Sequence, residues 1–152
     1  FEAGKVVTEG GEIPADLILF MPGLTGPAWL DDSTLPRSDG GFVAADAQCR
    51  ARGLDRVYVA GDIGSYPGPD WMAKQAHQAA LQAEAVAKNI AAGLHGEPAD
   101  HGFKTELACI VDSLDGGLLV YRSESRTFTS PNSRMLHWLK RRFEDRYLKV
   151  YR

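Results

Sequence analysis

One carboxylate in this chain is placed for chemistry. In Arg56–Gly68, RVYVAGDIGSYPG, the β-branched and aromatic run Val57-Tyr58-Val59-Ala60 stops at Gly61-Asp62. A loop rich in Gly, Pro and Asp follows, and then a long Ala-rich stretch. A buried strand that delivers Asp62 to its end, opposite a helix N-terminus, makes a site for a polyhydroxylated, anionic cofactor. An ionised Asp accepts hydrogen bonds from sugar-like hydroxyls, and a glycine before it lets a ligand approach the backbone closely. Taken alone, an apolar run ending in Gly-Asp is also an ordinary strand-to-turn signal, so the flanks must decide. The other reactive groups are two thiols. Cys49 and Cys109 form no C-x-x-C pair and no zinc-like Cys/His spacing, and His77, His95, His101 and His137 are scattered. By residue type alone, both cysteines read as small packed hydrophobes.

Several elements must position these groups. Lys5–Thr8 and Glu12–Ile13 flank Glu9-Gly10-Gly11 as a hairpin, and Ala15–Phe20 (ADLILF) has the continuous apolar character of a buried strand. Met21–Leu35 is a loop, Phe42–Ala45 a short strand, and Asp46–Asp55 a polar connection into the strand before Asp62. Met72–Leu94 reads as one helix, closed by Gly93 or Gly96 and Pro98. A second unit begins near His101. Lys104–Ser113 and Leu118–Ser123 are strands joined by Leu114-Asp115-Gly116-Gly117, a turn with residues suited to positive φ. Arg126–Thr129 adds a third strand, and Ser133 is the N-cap of a terminal helix over Arg134–Val150.

Composition sets bounds. A length of 152 residues, 44% hydrophobic and 24% charged, is that of an ordinary soluble chain with a modest core. No apolar run approaches the roughly 20 residues needed to span a bilayer. The net charge of −3 hides an asymmetry: residues 134–152 carry seven Lys/Arg against Glu144 and Asp145, a local +5, which leaves −8 elsewhere. An acidic body without a basic groove disfavours nucleic acid as a partner. The basic tail suits an anionic surface. Within it Met135, Leu136, Leu139, Phe143, Tyr147, Val150 and Tyr151 recur at three- and four-residue intervals as an apolar stripe.

With its flanks, Arg56–Gly68 resembles the second flavin-binding motif of flavoproteins with two dinucleotide-binding domains. Ala73-Lys74-Gln75-Ala76-His77, followed by Gln82-Ala83, is similar to the lysine-containing helix start of sulfide:quinone oxidoreductases and flavocytochrome c sulfide dehydrogenases. The resemblance implies that Asp62 binds the ribityl chain of FAD, with Gly61, Lys74, Gln75 and Ala76 as further cofactor-binding positions. It also implies that the backbone at the helix start faces the flavin pyrimidine ring. Exposed N–H groups and the positive end of the dipole stabilise electron density arriving there. The family usually has proline and glycine where Ala73 and Ala76 stand. Cys109 lies in a Cys-x-x-Asp strand before a Gly-rich turn, like the redox cysteine of sulfide:quinone oxidoreductases. By that analogy sulfide attacks a bridge between Cys109 and an upstream cysteine, a persulfide forms, and the released thiolate passes electrons to flavin C4a.

The same family implies the remaining expectations. No G-x-G-x-x-G follows a strand here, whereas the family's pyrophosphate fingerprint lies near the N-terminus of a much longer protein. The chain is therefore expected to be a C-terminal fragment, α/β in class with an α+β C-terminal part. Residues 1–98 correspond to part of a Rossmann-like FAD-binding domain, and residues 99–152 to a C-terminal domain with a hairpin and an amphipathic helix. Alone it is expected to be inactive and to lack FAD. Trp29, in Gly26-Pro27-Ala28-Trp29, matches a segment near the substrate side of the flavin, where it shapes a quinone site or anchors its loop. The tail segment from Lys140 through Phe143-Glu144 to Tyr147-Leu148 is similar to the membrane-lying end of quinone-linked members, implying peripheral attachment on either face; its stripe alone equally suits a helix packed on its own domain. Uncovered sheet edges and an open crevice favour a homo-oligomer. Two other readings stay open: a type II NADH:quinone dehydrogenase-like enzyme with Cys109 idle, and a non-catalytic module binding a membrane or partner.

Overall fold

The computed structural model describes residues 4–149. It is a mixed α/β arrangement of two helices and three small sheets. Strands β1 (Lys5–Thr8) and β2 (Gly11–Pro14) form the expected hairpin, with Val6 opposite Ile13 and Lys5 Nζ 3.0 Å from Glu12. The apolar run over residues 15–20 departs from expectation. It forms no strand among the described residues, and Leu17 and Leu19 stay 75% and 81% exposed. A run this apolar becomes a strand only when neighbours and covering layers remove it from water. The three small sheets are built from other segments.

The core lies beneath the Gly61-Asp62 loop. A 3-10 turn over Ala28–Asp32 inserts Leu30, which packs with Val43, Ala45, Ala51 and Val59. Strand β3 (Val43–Ala44) pairs in parallel with β4 (Gly64–Ser65), so the regular strand of this region follows Asp62 instead of preceding it. The 57–60 run is extended but held by single contacts: Tyr58 bridges Arg50, and the Val59 N–H donates to the Cys49 carbonyl at 2.8 Å. The pairing with residues 49–51 ends after this one bridge, so the run forms no longer ladder.

Helix α1 spans Ala76–Leu94, four residues shorter at its start than Met72–Leu94. Gln75, the N-cap, is extended at φ −152°. The C-terminus closes as the glycines promised. Gly96 takes φ +72°, its N–H reaches the Gly93 carbonyl, and the Glu97 N–H reaches the Ala92 carbonyl. The buried stripe of α1 is Gln78, Gln82, Ala85, Asn89 and Ala92, alternating four- and three-residue steps. Three of those five are amides, and each finds backbone partners. Gln78 Nε2 donates to the Lys104 carbonyl while its Oε1 accepts from the Glu106 N–H. Asn89 Nδ2 donates to the Gln48 and His101 carbonyls and its Oδ1 accepts from the His101 N–H.

The remaining sheet runs β5 (Glu106–Asp112), β6 (Gly117–Ser123) and β7 (Thr127–Thr129), all antiparallel. Helix α2 (Arg134–Leu148) lies against β5 and β6. Ser133 caps α2 as expected, its Oγ accepting from the Met135 N–H at 3.2 Å. Gly116 and Gly117 do not adopt positive φ. They are needed for space: a Cβ on Gly116 would sit 2.4 Å from Asn132, and one on Gly117 3.1 Å from the His137 nitrogen.

Asn89 is fully buried, so Asn89→Ala strands two carbonyls and one N–H away from water. We expect a loss of roughly 3 kcal/mol, read as a lowered urea midpoint at unchanged slope.

Candidate functional site

A crevice of about 240 Å³ opens where the Gly61-Asp62 loop meets the start of α1. Gly61, Asp62, Tyr66, Lys74, Gln78 and Gln82 are among the residues lining it. Gly61 is required by conformation, since its φ is +85°, whereas a Cβ there would meet only Ala79 Cβ at 3.7 Å. Its N–H donates to Gln82 Oε1 at 2.8 Å, and its carbonyl accepts from the Tyr66 hydroxyl at 3.2 Å and the Gly64 N–H at 3.1 Å. Asp62 is exposed and lines the crevice.

The positions expected around it divide. Lys74 lines the crevice, but its Nζ is committed to the loop backbone, donating to the Asp62 carbonyl at 2.7 Å and the Gly64 carbonyl at 2.8 Å. The Phe42 ring covers the same ammonium at 3.8 Å. Burial lowers the Lys74 pKa by stripping water from the charge, partly opposed by Asp62. Gln75 is the N-cap of α1, yet its side chain makes no capping bond, and its Nε2 is buried without a partner. No acidic residue sits in the first turn of α1. That helix end therefore presents unneutralised N–H groups. Gln75 and Ala76 do not themselves line the crevice, and Ala76 is exposed. His77 faces away from it, its Nε2 lying 2.8 Å from Glu106 on β5.

Sequence reading missed Gln78, Gln82, Tyr66 and Phe42. The first two carried a readable signal, amides at heptad-related spacing in an Ala-rich helix. Tyr66 and Phe42 carried none, because only the folded loop brings them to Gly61 and Lys74.

The two thiols differ sharply in setting. Cys49 is buried with φ 61°, and burial together with Asp46 pushes its thiol up to about 12. Cys109 is exposed on β5 opposite Val120. Both thiols are free. Cys109 shares a sheet face with Leu107, Val111 and Arg122, while Glu106 and Asp112 alternate onto the other. The Arg122 guanidinium lies over Trp71 at 4.7 Å, which ties the Cys109 face to the segment leading into α1. Trp29 is 64% exposed, and its neighbour Leu30 anchors the loop. Among the described residues, no group of three or more His, Cys, Asp or Glu could hold a metal ion.

No described protein family matches this sequence, and no curated protein does. Its fold, in contrast, is shared with 27 chains of solved structures. One is the sulfide:quinone oxidoreductase of the hyperthermophilic bacterium Aquifex aeolicus, with a TM-score of 0.73 at 19% identity. The superposition covers 97% of this chain and 38% of that one.

Thiol chemistry separates the two sites. Iodoacetamide is expected to alkylate Cys109 in the folded chain and Cys49 only after denaturation. Because the unfolded Cys49 thiol ionises near 9.0 and the folded one near 12, the unfolded state holds fewer protons between those values. Stability therefore falls as pH rises through that window. Parallel denaturation series should show a shallower fall in Cys49→Ala.

Proposed function

We propose that this chain is the C-terminal part of an FAD-dependent oxidoreductase of the sulfide:quinone oxidoreductase type. Electrons pass from sulfide or a related donor to a quinone or similar acceptor. The observation that carries the reading is the exposed Asp62 carboxylate on a rigid Gly61 loop, set beside the side-chain-uncapped start of α1. The shared fold supports it. Residues 1–98 belong in this reading to the FAD-binding domain and 99–152 to the C-terminal domain.

The residues present fit one part of FAD. Asp62 accepts hydrogen bonds from the ribityl hydroxyls, Gly61 allows close approach of the backbone, and the first N–H groups of α1 meet the polar edge of the pyrimidine ring. Gln75 Nε2, buried without a partner at the N-cap, lies at that helix start but outside the crevice lining. When bound, FAD supplies reversible acceptance of two electrons. A crevice of about 240 Å³ lies below the roughly 300–1,000 Å³ of complete ligand pockets, so the pyrophosphate and adenosine need residues upstream of this sequence. Exposed Cys109 is the thiol suited to exchange with a partner cysteine there.

The terminal helix supplies the acceptor side. Met135, Trp138, Leu139, Phe143 and Leu148 are exposed along α2, and Arg142 lies 5.8 Å over the Trp138 ring. No helix among the described residues is long and apolar enough to cross a membrane. An exposed apolar stripe edged by arginines lies on the surface of an anionic bilayer instead, near a lipid-dissolved quinone. Val150 and Tyr151, also assigned to this stripe, fall outside the described residues. The same exposed faces support self-association into a homo-oligomer.

The test is the gene product carrying these residues with their upstream sequence. It should purify yellow, and Asp62→Ala should weaken FAD by about 10- to 100-fold, the loss of hydrogen bonds to one charged group. The 152-residue chain alone should carry no stoichiometric flavin; a colourless longer product overturns the reading. In flotation with phosphatidylserine-containing vesicles, the pair Trp138→Asp and Phe143→Asp should reduce binding about a hundredfold or more. Undiminished flotation removes α2 from the membrane.

A further inference from the structure

The loop carrying Asp62 has glycines at both ends of the turn, Gly61 and Gly64, so in isolation its backbone would sample many conformations. Folded, six of its polar backbone atoms are held, among them the Gly64 N–H and the Ile63 carbonyl, which accepts from the Val43 N–H at 3.0 Å. Gly61 N–H is fixed by Gln82 and the Gly61 carbonyl by Tyr66 and Gly64. The other two, the Asp62 and Gly64 carbonyls, are held by a single atom, Lys74 Nζ. That ammonium spends two of its three protons on the loop, and the Phe42 face covers it at 3.8 Å. A cation posted to contact a ligand would keep its donors turned into the crevice; this one turns them to the main chain.

We propose that Lys74 is a positioning residue. It clamps the Asp62–Gly64 backbone, with Phe42 seating the clamp, and acts on the bound flavin only through Asp62. The proposal deepens the FAD reading above and rests on it for its ligand. Lys74 Nζ spans both ends of a three-residue segment whose middle carbonyl, Ile63, is held by the Val43 N–H, so releasing Lys74 loosens the Asp62 main chain and lets the carboxylate swing. Phe42 stands immediately before β3, so the ion also ties the cofactor loop to the segment running back to Trp29.

Two measurements decide the matter. In the 152-residue chain, amide exchange at Gly61–Gly64 should quicken about tenfold or more in Lys74→Met. Lys74→Arg, which keeps the charge and the ring contact and offers several N–H donors to the same two carbonyls, should stay within about threefold of the parent. In the flavin-loaded longer product, Lys74→Met should weaken FAD about tenfold. Added to Asp62→Ala it should weaken FAD by less than about threefold more, since a clamp with nothing to position has no further effect. Fully additive losses mean that Lys74 touches the flavin itself, and they overturn the proposal. So does unchanged exchange in Lys74→Met, or an Arg variant as impaired as the Met variant. A longer product without flavin sinks the functional reading alone, and the exchange measurement still decides the clamp.

Discussion

The architecture depends on one obligation: the amides buried along α1 must be satisfied. A helix that turns Gln78, Gln82 and Asn89 inward cannot be held by apolar contact alone, because each unpaired amide costs about 1–3 kcal/mol. Their partners are main-chain groups of segments with little regular structure of their own. Gln82 takes the Gly61 loop, Gln78 takes the entry to β5, and Asn89 joins the 48 turn to His101. Three connections are thereby registered on one rod. The helix does for these loops what a sheet ladder does elsewhere, and the carboxylate of Asp62 inherits its position from it.

Against that frame the chemistry divides by depth. Cys49 is inert because it is buried beside Asp46, while Cys109 stands in the open on a three-stranded sheet. The sheet is joined to α1 through the Glu106 side chain, which meets His77 at 2.8 Å and the Tyr121 hydroxyl at 3.4 Å. One face of β5 is thus bonded to α1 while Cys109 projects from the other. Arg122 over Trp71 brings that second face back towards the same helix start. The thiol and the carboxylate belong to one connected body.

How much of this was legible in the sequence varies with the kind of interaction. Local signals served well: the hairpin at Gly10-Gly11, the Ser133 cap, the Gly96 stop and the strands on either side of residues 114–116 all follow from nearest-neighbour chemistry. The loop that places Asp62 on a crevice was signalled in the same way, by an apolar run and its abrupt end. What failed depended on partners distant in sequence. The run at 15–20 looks like a strand in composition, but composition cannot supply neighbours. The glycines at 116 and 117 were read as conformational when their reason is contact with Asn132 and α2. The bonds from the Lys74 ammonium to the Asp62 and Gly64 carbonyls likewise appear only in the folded loop.

The amide stripe has a thermal consequence. Exposing apolar surface raises the heat capacity of a protein, whereas exposing polar surface lowers it. A helix seated on Gln78, Gln82 and Asn89 contributes less to that increment than one seated on leucines over the same area. Its grip on the loops then weakens little on cooling, where hydrophobic seams lose strength first.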